Sequence, residues 1–192
     1  MPTPLLIDTD MGVDDAIAVA LALAAPQLEV VGLVSVGGNV EVEQATASLG
    51  RLLHITRPRR PPLLGKGLDQ PSPGLLDARW LFGRDGLGEV TAGERTEVET
   101  ADFREVYQTL LQRHAGQLLI VAIGPLSNLA AVHRHDPKLL SRAARIVIMG
   151  GAVFSPGNVG GVAEFNFYRD PQAAVEILSA GLSCTVVPLD AT

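Results

Sequence analysis

The densest group of potentially reactive side chains lies near the N-terminus, in the segment DTDMGVDD. It holds four carboxylates, those of Asp8, Asp10, Asp14 and Asp15. Carboxylates crowded into a partly dry crevice repel one another, and a helix N-terminus offsets only about 0.3–1 kcal/mol per charge. A bound cation would relieve this repulsion, and a set of hard oxygen ligands favours Ca²⁺ or Mg²⁺ over Zn²⁺. The alternative is that Asp8 and Asp10 only cap the next helix, although capping normally uses one residue.

A second group of polar residues follows the ends of other apolar segments. Its members are Asn39, Ser127, Asn128, Met149, Asn158, Glu164 and Asn166. Each asparagine alone is more typical of a turn than of a site. Taken together with the carboxylates, however, these amides and the carboxylate of Glu164 indicate a site for a polyhydroxylated ligand such as a sugar.

Alternating strands and helices would position both groups. Continuous apolar runs indicate strands buried on both faces, and strand–helix alternation indicates a parallel sheet. The sequence predicts strands at residues 4–8, 28–36, 118–123, 146–149 and 184–189, with a further short strand at 62–64. It predicts helices at residues 13–24, 42–55, 127–134 and 170–179, and it leaves residues 57–100 and 150–167 unassigned. We therefore expect an α/β fold in one domain, residues 1–192, with an open, mostly parallel, Rossmann-like sheet and helices on both faces. Ligands bind such sheets at the carboxyl ends of the strands.

The composition excludes several classes of protein. Of the 192 residues, 47% are hydrophobic and 19% charged, so the chain is not globally disordered. A net charge of −6 argues against a nucleic-acid partner, and a single cysteine, Cys184, excludes an internal disulfide framework. The longest strictly apolar stretch, residues 16–25, is too short to cross a membrane, and the N-terminus lacks a signal-peptide pattern. We therefore expect a cytoplasmic protein.

Several segments resemble a known family. The segments LLIDTDMGVDDAIAVALAL, VSVGGNVEVEQA, VAIGPLSNLA, IVIMGGAV and GNVGGVAEFNFYRDPQAA are similar, in this order, to blocks of the inosine–uridine-preferring nucleoside hydrolases. DGLGEV at residues 85–90 is similar to another block, and the DTDxGxDD and AEFN blocks are the specific ones. The resemblance implies the nucleoside hydrolase fold and hydrolysis of the N-glycosidic bond of ribonucleosides to free base and ribose. It also implies a Ca²⁺ cofactor and a homodimer or homotetramer.

The resemblance also assigns roles to individual residues. Asp10, Asp15 and the backbone carbonyl of Ile123 match the Ca²⁺ ligands, and Asp10 matches the base that activates the Ca²⁺-bound water. Asn39 is assigned to catalysis and also to substrate binding. The other substrate-binding positions are matched by Asp14, Met149, Asn158, Glu164 and Asn166.

The chain departs from the family pattern in two places. A late segment of the family supplies a His–Asp pair, in which the Asp completes the Ca²⁺ site and the His assists departure of the base. The sequence ends at Thr192, so we expect a fold that lacks this C-terminal part and a chain whose own activity is impaired. His135-Asp136 does not replace the pair, because it matches a turn after a helix. Phe82 stands where many members have a His, and Phe cannot donate a proton.

Two other functions stay open on the sequence. A truncated or degenerate member could bind ribose or a metal without catalysing a reaction. A strand followed by Asp-x-Asp is also the nucleophile motif of haloacid-dehalogenase-like, Mg²⁺-dependent phosphohydrolases, although Gly12 is foreign to that motif. Preference for purine or pyrimidine nucleosides stays open as well, because base contacts lie largely in variable loops.

Overall fold

A parallel sheet forms the centre of the molecule. The computed structural model describes residues 1–69, 78–89 and 98–192. Within these ranges the strands are β1 Thr3–Thr9, β2 Leu28–Ser35, β3 Leu63–Lys66, β4 Ala101–Asp102, β5 Leu119–Ala122, β6 Arg145–Met149 and β7 Cys184–Val187. They lie in the order β4-β3-β2-β1-β5-β6-β7, and each pair is parallel. The predicted open, parallel sheet is confirmed.

Helices connect these strands and cover both faces of the sheet. They are α1 Val13–Ala24, α2 Val42–Thr56, α3 Arg79–Phe82, α4 Phe103–Arg113, α5 Ser127–His135, α6 Phe165–Arg169 and α7 Pro171–Ser179, with a short 3₁₀ helix at Leu140–Arg142. The start of α7 shows how the sequence sets these bounds. Asp170 accepts a hydrogen bond from the backbone N–H of Ala173, and Pro171 occupies the first turn, where its missing N–H costs nothing.

The two faces of β1 contribute to different cores. Leu5 and Ile7 pack in one core with side chains of α1 and α2. Leu6 points to the opposite face and packs in a second core with side chains of α4, α5 and α7. β1 is buried from Pro4 to Thr9, as a strand between two helical layers must be. Its carboxyl end is therefore held firmly at the edge of the sheet where the acidic segment begins.

The sequence prediction omitted one helix that builds much of the second core. Phe103, Val106, Tyr107, Leu110 and Leu111 are buried along α4 at helical spacing. The side chain of Asp102 caps this helix by accepting from the backbone N–H of Arg104 at 2.8 Å. The helical spacing of the apolar residues and the capping Asp102 are both visible in the sequence and indicate a helix here.

Other predicted elements agree with the structure. Predicted strands correspond to β1, β2, β3, β5, β6 and β7, and predicted helices to α1, α2, α5 and α7. The unassigned segment 150–167 forms turns, an isolated bridge between Val159 and Ala163, and the start of α6. Of the unassigned segment 57–100, residues 70–77 and 90–97 lie outside the described ranges, as does Val90 of the DGLGEV block. None of the helices within the described ranges has the length and apolarity needed to cross a membrane.

Candidate active site

One cavity at the carboxyl edge of the sheet collects the predicted site residues. Its volume is about 390 Å³, which is within the usual range for small-molecule sites. The nine residues to which the family resemblance assigns a role lie in its wall: Asp10, Asp14, Asp15, Asn39, Ile123, Met149, Asn158, Glu164 and Asn166. They come from segments far apart in the chain, brought together because parallel strands end at a common edge.

The turn after β1 fixes the position of Asp15. Met11 is fully buried and has a φ of 52°, a left-handed conformation that is uncommon for a residue other than glycine. Thr9 Oγ1 accepts from the backbone N–H of Met11 at 3.1 Å and donates to Asp15 Oδ1 at 2.8 Å. Gly12 N donates to Asp15 Oδ2 at 2.8 Å. Both oxygens of Asp15 are thus held, in a backbone arrangement typical of functional sites.

One carboxylate oxygen of Asp10 accepts a hydrogen bond, and the other has no donor among the described residues. Its Oδ2 accepts from the backbone N–H of Asn39 at 2.7 Å. In the part of the chain that the structure describes, its Oδ1 is buried without a hydrogen-bond partner. Burial, and then the charge of Asp15, raises the pKa of Asp10 well above its ordinary value. Burial, and then the charge of Asp14, raises the pKa of Asp15 to about 7.

The surroundings of Asp10 fit a bound cation. A buried carboxylate oxygen without a donor would be satisfied by a cation, which would also offset the repulsion that raises both pKa values. Gly12 and Gly38 leave room for these carboxylates because they have no side chain. A Cβ on Gly12 would lie 2.7 Å from Asp14 Oδ1, and a Cβ on Gly38 would collide with Asp10. Among the described residues, however, no three His, Cys, Asp or Glu side chains are arranged to hold a metal ion.

Glu164 and Asn166 form the polar wall of the cavity. Glu164 Oε1 accepts from Asn166 N at 2.8 Å, and Oε2 accepts from Gly151 N at 3.0 Å and Phe167 N at 3.1 Å. A carboxylate has about four acceptor positions, so one position is left for a ligand donor. The side-chain Nδ2 of Asn166 donates to the carbonyl of Ile123 at 3.1 Å and approaches the carbonyl of Met149 at 3.3 Å. The Asn166 amide therefore ties the ends of β5 and β6 together.

The cavity also has an apolar lining. It includes Trp80, Leu81 and Phe82 of α3, and Phe165 of α6. Trp80 is 78% exposed, so its ring is accessible to a ligand in the cavity. The sequence contains little sign of this apolar lining, because Trp80, Leu81 and Phe82 lie in a long segment whose apolar residues have no periodic spacing.

Residues 78–89, which include Trp80, Leu81 and Phe82, are held by hydrogen bonds to the side chain of Asp85 and to the backbone of Asn39. Asp85 Oδ1 accepts from Leu87 N at 2.9 Å and from Glu89 N at 2.8 Å. At the other end of the segment, Ala78 N donates to the carbonyl of Asn39 at 3.2 Å. Asn39 therefore contacts both Asp10 and the apolar lining through its backbone.

Three residues expected near the ligand lie outside the cavity wall. Asp8 is fully buried beneath it and accepts hydrogen bonds from Tyr107 Oη at 2.7 Å and Asn128 Nδ2 at 3.0 Å. Burial raises the pKa of Asp8 to about 7, although these two donors oppose the shift. Ser127 donates to Asp170 at 2.6 Å. The expectation for Asp8, Ser127 and Asn128 was wrong because they serve as internal partners for polar groups between helices and strands.

The structure agrees with the prediction that His135 and Asp136 do not replace the His–Asp pair of the family. His135 is the last residue of α5 and Asp136 caps its C-terminus. Neither lies in the wall of the cavity.

Comparison with known proteins agrees with the fold. The family model described as inosine-uridine preferring nucleoside hydrolase matches residues 5–192. The chain is 37% identical to uridine nucleosidase 1 of Arabidopsis thaliana, over 98% of this chain and 56% of that protein. It is 36% identical to the non-specific ribonucleoside hydrolase RihC of Klebsiella pneumoniae (strain 342), over 100% of this chain and 63% of that protein.

Solved structures agree as well. A plant nucleoside hydrolase superposes with a TM-score of 0.92 and 33% identity, covering 99% of this chain and 61% of that structure. The chain thus spans less than two thirds of the length of each of these relatives. These matches in sequence and fold establish that the chain belongs to the inosine-uridine preferring nucleoside hydrolase family.

Proposed function

We propose that this chain hydrolyses the N-glycosidic bond of ribonucleosides and releases free base and ribose. The observation that carries the proposal is the convergence of these nine residues on one cavity that has both polar and apolar lining residues. A nucleoside has the same division, because its sugar is rich in hydroxyl groups and its base presents a flat, largely apolar face. The family match argues against the phosphohydrolase alternative.

We expect calcium as the cofactor at the acidic end of the cavity, as the family resemblance implies. The family is in general metal-dependent. Asp10, Asp15 and the carbonyl of Ile123 would hold the ion, since all three offer hard oxygen atoms in the wall of the cavity. When bound, calcium would orient a water molecule and lower its pKa.

Asp10 is the residue that we expect to take the proton from water. Its Oδ1 is buried without a partner among the described residues, and Asn39 N holds its other oxygen. A carboxylate held in place beside the metal-bound water is positioned to accept its proton. Asn39 is thus a positioning residue through its backbone, and its side chain lies in the cavity wall as a contact for the substrate.

The remaining polar side chains would grip the ribose. Glu164 has an acceptor position left for a hydroxyl, and Asn166 uses its Nδ2 within the protein, so we expect its Oδ1 to face the sugar. Asp14 and Asn158 offer further oxygen atoms in the cavity wall, and Met149 also lines the cavity. Several such contacts align the anomeric carbon with the attacking water.

The same oxygen atoms would favour the transition state. Glycosidic cleavage passes through an oxocarbenium-like sugar, in which positive charge develops on the ring. Fixed carboxylate and amide oxygens stabilise that charge without reorganising. The base would lie against Trp80, Leu81 and Phe82, of which Phe82 contributes packing but no proton. We also expect a cytoplasmic homodimer or homotetramer, which size-exclusion chromatography with light scattering would test.

The test combines hydrolysis with binding. The chain should release base from inosine, uridine or a nitrophenyl riboside, and chelation followed by calcium addition should abolish and restore the release. Trp80 is the single tryptophan and lies in the cavity wall, so nucleoside binding should change its fluorescence.

The matched variants are Asp10→Asn and Asp136→Asn. Asp136 lies at the end of α5 outside the cavity wall, so its variant should keep the activity that Asp10→Asn loses. Equal activity in the two variants would refute the assignment of Asp10. Fluorescence changes without any release of base, in the wild type, would instead identify a non-catalytic ribose-binding member.

A further inference from the structure

A loop at residues 156–163 projects one part of the polar wall into the cavity. Asn158, Val159 and Gly160 lie in the cavity wall. The loop closes on itself, because Val159 N donates to the carbonyl of Ala163 at 2.8 Å and Ala163 N donates back to that of Val159 at 3.1 Å. Val162 of this loop is 83% exposed and adds little packing, so the position of the loop depends on how its two ends are attached.

The C-terminal end of this loop is attached through the site itself. Glu164 follows the loop directly and accepts from Gly151 N, Asn166 N and Phe167 N. It is 3% exposed, so this attachment is a buried one. The opposite end of the loop is held by a different group.

The N-terminal end is attached to a carboxylate outside the cavity. Asp190 Oδ1 accepts from Phe154 N at 2.7 Å and Ser155 N at 2.9 Å, and its Oδ2 accepts from Val153 N at 2.9 Å. Hydrogen bonds from these backbone N–H groups, that of Val153 first, hold the pKa of Asp190 below its usual value. Leu189 N adds a bond to the carbonyl of Gly151 at 2.9 Å.

We propose that Asp190 is a positioning residue for the loop 156–163, fixing its N-terminal end as Glu164 fixes the C-terminal end. Asp190 does not line the cavity, so it would act on the ligand only through the loop. Its effect on ligand binding rests on the proposed function, since that defines what Asn158 contacts. Its effect on the loop does not.

The test uses a graded pair of variants. Asp190→Ala removes all three acceptor bonds, whereas Asp190→Asn can keep the two made to Oδ1 and loses the one made to Oδ2. Asp136→Ala is the matched control, because Asp136 accepts from the backbone N–H of Lys138 at 2.9 Å in a turn outside the cavity. Hydrogen–deuterium exchange of the metal-free chain measures the loop without needing a substrate.

We expect exchange at residues 153–155 to accelerate about tenfold in Asp190→Ala, less in Asp190→Asn, and not at all in Asp136→Ala. The decisive amides are those of Val159 and Ala163, which touch Asp190 nowhere. Faster exchange there shows that the loop itself has lost its position, whereas acceleration confined to 153–155 would overturn the proposal. Unchanged exchange at all of these amides would overturn it as well.

Nucleoside binding supplies the second measurement. The KM of Asp190→Ala should rise about tenfold while kcat stays within about twofold, because the contacts that align the sugar weaken but Asp10 is untouched. A fall in kcat at constant KM would contradict the positioning role. If the wild type neither binds nor hydrolyses nucleosides, the proposed function fails, and the exchange at Val159 and Ala163 still decides the role of Asp190.

Discussion

Replacing Glu164 by Gln should destabilise the fold as well as weaken ligand binding, because its carboxylate is an internal acceptor. Three backbone N–H groups donate to it, one to Oε1 and two to Oε2. Gln has a single carbonyl oxygen, which can keep the pair at Oε2 but then turns its NH₂ group against the N–H of Asn166. One hydrogen bond to a buried charged acceptor is lost, so we expect about 2 kcal/mol less stability, and about 4 kcal/mol less for Glu164→Ala.

Urea unfolding followed by circular dichroism measures these losses, with the midpoint falling and the slope unchanged. The matched control is Glu176→Gln, because Glu176 pairs with Arg134 at 2.8 Å on the surface, where the two side chains are 28% and 58% exposed. A surface pair of this kind contributes about 0.5 kcal/mol. If Glu164→Gln lost no more stability than Glu176→Gln, the carboxylate would not be holding the loop end and the reasoning would be refuted.

Three further substitutions test other parts of the site. Tyr107→Phe removes the hydroxyl that donates to Asp8 at 2.7 Å, so it should lower the free energy of unfolding by about 1–2 kcal/mol; an unchanged urea midpoint would contradict this. Asp10→Asn relieves carboxylate repulsion, so calorimetry should find the metal-free variant at least as stable as wild type and insensitive to calcium; a melting temperature that still rises with calcium would count against the metal site. Gly38→Ala pushes a methyl group against Asp10, so nucleoside titrations followed by Trp80 fluorescence should show weaker binding, and unchanged affinity would rule out this close approach.

The fold could be predicted from the sequence wherever one element carries its own pattern. β1 and β2 are continuous apolar runs, and α7 begins with a capping Asp170 followed by Pro171. β4 could not be predicted, because a strand of two exposed residues has no pattern and exists only through its pairing with β3. The order of the strands likewise depends on pairing between distant segments, which local spacing does not contain.

Some residues of the candidate site could be predicted from the sequence and others could not. The polar residues in the cavity wall lie in motifs that resemble a family, so the sequence alone was enough to identify them. Asp190 could not be identified in this way, because its partners are backbone N–H groups some 36 residues away and leave no mark on side-chain identity. Asp8 was placed wrongly for the opposite reason, since its side-chain type suggested a ligand and only the structure shows Tyr107 and Asn128 donating to it.

Two carboxylates of the acidic segment have opposite effects on stability: Asp8 stabilises the fold, whereas Asp10 destabilises it. Side chains alternate along a strand, so Asp8 points into the helical layer, where donors from α4 and α5 satisfy it. Asp10, beyond the end of β1, keeps an oxygen without a donor among the described residues, beside Asp15. A substitution at Asp8 removes an acceptor that the fold uses, whereas one at Asp10 removes a charge that the metal-free fold bears at a cost. Proteins keep such destabilising groups where a ligand compensates for them, and this is the physical reason for our proposal that Asp10 acts at the site.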